Sequence, residues 1–578
     1  MAYKTIRIDR SSLPDWDGKT ERILEIAEER ISKRCPVTFA GHGEYAFVLS
    51  ADDSIGSDGF RITHGVGRTE LAVQSPLGLL AGLGKVLRTS TYSNVGYLPS
   101  PWNGCSVPYS PVRGIQMDSH FCNFYHMASE AELRTYVEDL ALWGVNCIDV
   151  VFPLIDLCGW EDPEVAHITG QIAAIYRAAR AIGVKVGLEI VPNQDFVTYR
   201  EEFKATPNFE VVKRRGNNGH NICPNKPGAL EYVTSTYRRV IMHLKENGIF
   251  MDFICFWPYD EGGCGCELCR PWGSRGYLKA SRAIRDEVAK ELPDAKIILS
   301  TWLFDTPDDQ DEWSGLSRQL DRENGWVDYI LADSHTDFPT YPLTHPIPGG
   351  LPLLNYPEIS MWQLYPWGGY GANPLPERFE RLWKQVKERV NGGIAYSEGI
   401  FDDVNKVVVS QFYWDKDRSV ETTLKEYFDY EFSPAVTEKV REAVRIIERN
   451  HVATTVGAHR NISKDCNTQA VTKEIVSDAG TALSLMRDAD ELLPGWAKKE
   501  WRWRILFIRS LLDQLRFSRA LEQKDTLTEE TTWIDVLRGS PEAKSAVAEL
   551  VSIYHSNMDY DDSIHPMFRH VRPALKEL

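Results

Sequence analysis

The sequence has no stretch of the roughly 18 uninterrupted apolar residues that a membrane span requires. Its first residues, Met1-Ala2-Tyr3-Lys4-Thr5-Ile6, alternate like a strand and lack the apolar core and small-residue cleavage site of a secretory leader. A cytoplasmic protein without a membrane partner is expected. Positive charge is scarce: 65 Lys and Arg against 82 Asp and Glu leave a net charge of -17, which repels phosphate backbones and argues against nucleic acid as a partner. The 11 cysteines are odd in number and spread along the chain, which fits reduced thiols better than a disulfide framework. No G-x-S-x-G elbow or H-E-x-x-H pair occurs. Gly78, Gly82, Gly84 and Lys85 imitate a phosphate loop, but the spacing is one residue too long and Val86 stands where Ser or Thr would bind magnesium.

Aromatic residues are plentiful, with 17 Trp and 24 Tyr among 578 residues. Sugar rings stack their C–H faces on such side chains, although large rings also simply fill cores. A chain this long exceeds one core, so several domains are expected. Residues 1–110 read as a small α/β domain. It has strands at Lys4 to Ile8, Tyr45 to Leu49, Gly59 to Thr63 and Thr69 to Gln74, and helices at Glu21 to Arg34 and Pro76 to Leu87. Pro101 to Pro111 reads as a linker.

Over 111–417 short apolar runs alternate with amphipathic stretches, the pattern of βα units. The runs are Gly114 to Asp118, Asn146 to Phe152, Lys185 to Val191, Phe253 to Trp257, Lys296 to Trp302, Asp328 to Ala332, Leu351 to Asn355 and Gly393 to Tyr396. Eight such units predict an α/β fold with a central (β/α)8 TIM barrel. Over 418–578 helical periodicity takes over. Trp501, Ile505, Ile508, Leu512 and Leu515 share one helix face, with Arg502, Arg509 and Arg516 placed off it.

Active sites of such barrels gather at the C-terminal strand ends. Those ends offer Asp118 and His120, Glu189, Trp257 with Tyr259 and the pair Asp260-Glu261, Trp302, Asp333 with His335, Glu358 followed by Trp362 and Trp367, and Tyr396 with Glu398. One acidic strand end would be an ordinary helix cap. Seven converging ends bearing carboxylates or aromatics predict a carbohydrate site, because glycosidic cleavage needs one protonated carboxyl for the leaving oxygen and a second group at the oxocarbenium-like centre. Aromatic walls raise the pKa of the acid. Asp260-Glu261, flanked by Trp257, Tyr259 and two glycines, is the sharpest signal; its alternative is a solvated acidic loop.

Directly after it stands Cys264-Gly265-Cys266-Glu267-Leu268-Cys269, whose three thiols suit tetrahedral zinc with Cys223 as a fourth ligand. The expectation is a structural metal, with small buried residues in a tight loop as the alternative; catalysis itself needs no cofactor. His120, Cys122 and His126 form a second His/Cys set, in which His120 is read as a ligand for a sugar hydroxyl. His565 and His570 read as surface or packing residues.

The segment Ser75-Pro76-Leu77-Gly78-Leu79-Leu80-Ala81-Gly82-Leu83, the run Arg113-Gly114-Ile115-Gln116-Met117-Asp118 and Trp143-Gly144-Val145-Asn146 resemble glycoside hydrolase families 20, 67 and 84, in which an accessory α/β domain precedes the barrel. Likeness to the family 20 β-N-acetylhexosaminidases implies Glu261 as general acid, Asp260 as the residue positioning the substrate acetamide, and Glu398 as a sugar-hydroxyl ligand. Here Pro258-Tyr259 precedes the pair and Gly262-Gly263 follows it, whereas in that family Gly-Gly precedes it. Likeness to the inverting family 67 α-glucuronidases implies Glu261, Asp333 and Glu358 in acid and base roles. The expectation is an exo-acting glycosidase working on an oligosaccharide or glycoside, with a non-catalytic sugar-binding barrel and a zinc-dependent hydrolase as rivals. A homo-oligomer is compatible with either reading.

Overall fold

The computed structural model describes residues 2–120, 123–198, 200–207, 221–259, 262–304, 311–334, 337–360, 372–455 and 467–555. Its centre is a closed barrel of eight parallel strands, Val112–Met117, Cys147–Val151, Lys185–Ile190, Phe253–Phe256, Lys296–Ser300, Tyr329–Ser334, Leu353–Ser360 and Gly392–Ser397. They follow one another round the ring in chain order, and the eighth closes on the first from Gly392 against Val112 to Ser397 against Met117. The fourth strand shows why these segments are strands: Phe253, Ile254, Cys255 and Phe256 are all buried, one face toward the barrel axis and the other under helices.

Local chemistry starts and stops the crossover helices. Ser129 and Glu132 close a reciprocal capping box on Glu130–Leu142. Pro163–Ile182 begins at the Asp162 cap with Pro163 in the first turn and ends at Gly183, whose φ of 87° suits glycine.

Ahead of the barrel lies a six-stranded mixed sheet in which Phe60–Gly65 runs antiparallel to both neighbours. One of its two edge strands is Gly104–Ser106, so the stretch read as a linker belongs partly to this sheet. Backbone hydrogen bonding to Phe60–Gly65 outweighs the local Pro, Ser and Gly signals there. The helix Pro76–Thr89 lies between sheet and barrel. A Cβ on Gly82 would strike Leu71 and Phe60, and one on Gly84 would stand 2.0 Å from the Leu142 carbonyl oxygen. These glycines therefore serve close packing, and Lys85 pairs with Glu426 from the C-terminal region.

After the barrel come the helices Val420–Glu431, Thr437–Thr454, Lys473–Leu492, Trp501–Glu522, Trp533–Leu537 and Pro541–Tyr554. Ile505, Ile508 and Leu512 are buried as the periodicity predicts, whereas Trp501 and Leu515 are half-buried. Arg502, Arg509 and Arg516 are buried too, which corrects their placement off the core. Arg502 donates to Asp403 at 2.8 Å and Asp139 at 3.1 Å, and Arg30 of the N-terminal region donates to the other oxygen of Asp139 at 2.8 Å. Asp513 pairs with both Arg509 and Arg516. Among the described residues no helix is long and apolar enough to cross a membrane. His565 and His570 lie outside the described residues.

Candidate active site

The C-terminal mouth of the barrel is built on Gln116. Residues two apart on a strand share a face, so Gln116 and Asp118 emerge together at the end of the first strand. The Gln116 amide donates to Asp118 Oδ1 and to Glu189 Oε2, both at 3.0 Å, and accepts from the Tyr356 hydroxyl at 2.8 Å. A neutral amide thus holds two buried carboxyl groups and ties the first, third and seventh strands together. On the second strand Asp149 is also buried. Burial first, then the neighbouring Asp118, pushes its pKa well above the usual carboxylate range.

A row of aromatic rings lines the same mouth. Trp257 lies 5.4 Å from Trp302 and 4.7 Å from Tyr356, centroid to centroid, and Tyr356 lies 5.8 Å from Tyr396. Burial raises the pKa of both tyrosine hydroxyls well above the ordinary value and keeps them donors. Tyr396 donates to Glu398 Oε1 at 2.5 Å, and Trp302 donates its indole N–H to Glu358 Oε1 at 2.8 Å. Asp333 stands one residue before the end of the sixth strand, paired in register with Tyr356. The turn behind Glu398 is fixed by Tyr125 and Lys406, which both donate to the Gly399 carbonyl.

Asp260, Glu261, His335, Trp362 and Trp367 lie outside the described residues. The chain on either side of Asp260-Glu261 is firmly held. Trp272 donates to the Pro258 carbonyl, and the Gly262 carbonyl accepts from Asn193 at 3.3 Å and Asn221 at 3.0 Å. Tyr259, expected in the pocket lining, donates its hydroxyl to buried Glu312 and packs its ring edge-on against Phe304.

His120 stands at the mouth with Nδ1 2.5 Å from Asp156 Oδ2, a contact that orients the imidazole. Cys122 lies outside the described residues, and His126 turns toward Glu164 and His167. Burial lowers the pKa of His126. Further along the acid loop, the Sγ atoms of Cys223, Cys264, Cys266 and Cys269 all lie within 4.8 Å of one another. None of the 9 described cysteines forms a disulfide.

Sequence reasoning missed Gln116, Tyr356, Asp156 and Glu312. The first two carried a usable signal, since each stands two residues before a carboxylate already singled out and so shares its face of the strand. The other two lie in connections whose path no local pattern reveals.

No family model matches the sequence, and no curated protein matches it either. Solved structures do match in fold. The GH115 4-O-methyl-α-glucuronidase BtGH115A, with specificity for decorated arabinogalactans, aligns over 100% of this chain and 79% of its own at TM-score 0.61 and 11% identity. A GH138 enzyme targeting pectin rhamnogalacturonan II aligns over 97% and 72% at 0.57 and 11%. CpGH89 from Clostridium perfringens, in complex with its substrate GlcNAc-α-1,4-galactose, aligns over 95% and 67% at 0.56 and 13%. These neighbours are glycoside hydrolases. At such identities the likeness is one of architecture, and it extends across the α/β region, the barrel and the C-terminal helices together.

Proposed function

We propose that this chain is an exo-acting glycoside hydrolase that removes a terminal sugar from an oligosaccharide or glycoside by carboxylate acid–base catalysis. One observation carries the reading: the aromatic row Trp302, Trp257, Tyr356 and Tyr396 faces a barrel mouth that gathers the carboxyl groups of Asp118, Glu189, Glu358 and Glu398. Rings supply apolar faces for stacking a pyranose, and the carboxyl groups supply hydroxyl ligands and the acid–base pair. A purely binding barrel would not need so many buried acids, each costly to desolvate. Cysteines outside disulfides, among the described residues, suit a reducing, cytoplasmic setting.

In this reading Glu261 protonates the leaving oxygen and Asp260 orients the substrate beside it. Asp333, Glu358 or Glu398 supplies the base, the nucleophile or a hydroxyl ligand. Trp302 fixes one oxygen of Glu358, which limits the orientations that carboxyl can take. His120, oriented by Asp156, takes a hydroxyl beyond the end of the first strand. A mouth rich in carboxyl groups repels an anionic sugar and favours a neutral one. That preference, with the neighbour that binds a GlcNAc-terminated substrate, points to a terminal N-acetylhexosamine. The glucuronidase neighbour supports the second reading, a uronic acid removed with inversion.

A panel of nitrophenyl glycosides with the full chain tests the proposal. Release of nitrophenol from an N-acetylhexosaminide, with glucuronides untouched, is expected. Cleavage of glucuronides alone would replace the first reading by the second. Calorimetric sugar binding with no hydrolysis across the panel would make the barrel a binding protein.

A further inference from the structure

Four cysteines from two loops meet beside the acid loop. Cys223 lies in the connection after the third barrel strand, and Cys264, Cys266 and Cys269 follow the fourth. Cys223 Sγ stands 3.8 Å from the sulfurs of both Cys266 and Cys269, and the whole set lies within 4.8 Å. A disulfide would bring two sulfurs to about 2.05 Å. A tetrahedral zinc with Zn–S bonds of about 2.3 Å instead sets its sulfurs about 3.8 Å apart.

The surroundings suit thiolates around a cation. The side-chain amide of Asn225 donates to Cys269 Sγ at 3.1 Å, and backbone N–H groups of Asn225 and Cys266 are directed at Cys223 and Cys264. Between Cys266 and Cys269 the chain forms a tight turn, with the N–H groups of Cys269 and Arg270 both donating to the Cys266 carbonyl. Cys223, Cys264 and Cys269 are buried, and Cys266 is half-buried. Packing apolar side chains there would not require four polarisable sulfurs gathered within 4.8 Å, with the two separations from Cys223 to Cys266 and Cys269 matching a tetrahedron's edge.

We propose that Cys223, Cys264, Cys266 and Cys269 bind one zinc ion, which clamps the loop following Asp260-Glu261 to the loop after the third strand. Four sulfur ligands close the coordination shell and leave no position for water or substrate, so the ion is structural. Soft tetrahedral sulfur selects zinc or iron, and the absence of a required redox step in glycosidic cleavage favours zinc. The clamp is short. Cys264 stands three residues beyond Glu261 and two beyond Gly262, while Cys223 stands two beyond Asn221, whose amide holds the Gly262 carbonyl. Gly265 N–H to the Thr206 carbonyl at 2.8 Å adds a second tie between the same loops. The His126, Glu164 and His167 group is a weaker candidate, because His167 Nε2 already contacts the His126 carbonyl oxygen at 2.8 Å.

The zinc site stands on its own geometry; only its effect on turnover rests on the proposed glycosidase activity. Elemental analysis of the full chain, purified under reducing conditions and dialysed against metal-free buffer, is expected to give about one zinc per chain and no iron. Native alkylation read by mass spectrometry should then leave these four cysteines unmodified while labelling exposed Cys105. Stripping the metal should open them to alkylation, and cobalt reconstitution should give the thiolate-to-cobalt charge-transfer bands of a tetrahedral site. Cys264→Ser should lose most of the zinc and Cys105→Ser none. Since Cys264→Ser could misfold, the wild-type alkylation and cobalt measurements decide independently. Zinc far below one ion per chain even after anaerobic reconstitution, stoichiometric iron, or a disulfide within the set would overturn the proposal. Full zinc with no hydrolysis of any glycoside would sink the glycosidase reading alone, whereas hydrolysis by protein unable to bind zinc would sink the clamp alone.

Discussion

Trp302 donates its indole N–H to Glu358 Oε1 at 2.8 Å, joining the end of the fifth barrel strand to the seventh. A hydrogen bond to a charged group contributes about 1.5–3 kcal/mol. Trp302→Phe keeps an aromatic face but removes the donor, so kcat on the cleaved substrate should fall roughly tenfold to a hundredfold. KM should change less. Steady-state kinetics check this, and an unchanged kcat would show that Glu358 does not depend on the indole for its catalytic orientation.

Glu261→Gln should lower turnover of ordinary glycosides by roughly 10² to 10⁴, the range for loss of a general acid. A dinitrophenyl glycoside, whose leaving group needs little protonation, should still be cleaved. Asp260→Asn should lose activity on both substrates if it orients the reacting centre. Comparing the two variants on the two substrates separates the roles, and the reverse pattern would exchange them.

Gly84→Ala should destabilise the protein by about 1–3 kcal/mol, the usual cost of overpacking, because the new methyl would stand 2.0 Å from the Leu142 carbonyl oxygen. The denaturant midpoint reads this directly. An unchanged midpoint would mean that the helix Pro76–Thr89 can shift off the barrel at no cost.

Glu426 pairs with Lys85, Arg88 and Arg418. Burial alone would raise its pKa, but Arg88, Arg418 and Lys85 together outweigh this and hold the carboxyl down at about 2. Because the folded-state value lies below the unfolded one, the stabilisation is present above the ordinary carboxylate range and is lost as pH falls toward about 2. Glu426→Gln strands three cations and should cost about 3–5 kcal/mol at neutral pH. The gap between wild type and variant should narrow below pH of about 4, where wild-type Glu426 begins to lose this advantage. Denaturation curves at neutral and acid pH test it, and a gap independent of pH would refute the linkage.

The barrel was legible because strands buried on both faces appear as short apolar runs, as in Phe253 to Phe256. Errors cluster where the site begins. The sixth strand continues through Asp333 and Ser334 and the seventh through Glu358 to Ser360, beyond the expected ends at Ala332 and Asn355. Polar residues that serve the mouth break the hydrophobic pattern while the backbone ladder goes on. Periodicity could not place Arg502, Arg509 and Arg516 either, since Asp139 and Asp403, which pair with Arg502, come from distant parts of the chain. Trp257, Trp302 and Tyr396 were singled out from sequence because they stand beside strand ends. Gln116, which binds two of the carboxyl groups, was overlooked although its spacing to Asp118 placed it on the same face.

Arg30, Asp139, Arg502 and Asp403 form a continuous ionic chain from the first helix to the barrel helix Glu130–Leu142, on to the long helix near the end of the sequence, and back to the last barrel helix. Removing the C-terminal helices would strip Asp403 and Asp139 of Arg502, and removing the first helix would strip Asp139 of one of its two arginines, so the three regions should melt together rather than in turn. A truncation after the last barrel helix would therefore yield insoluble protein instead of a working barrel, and limited proteolysis of the intact chain would release no separately folded fragment.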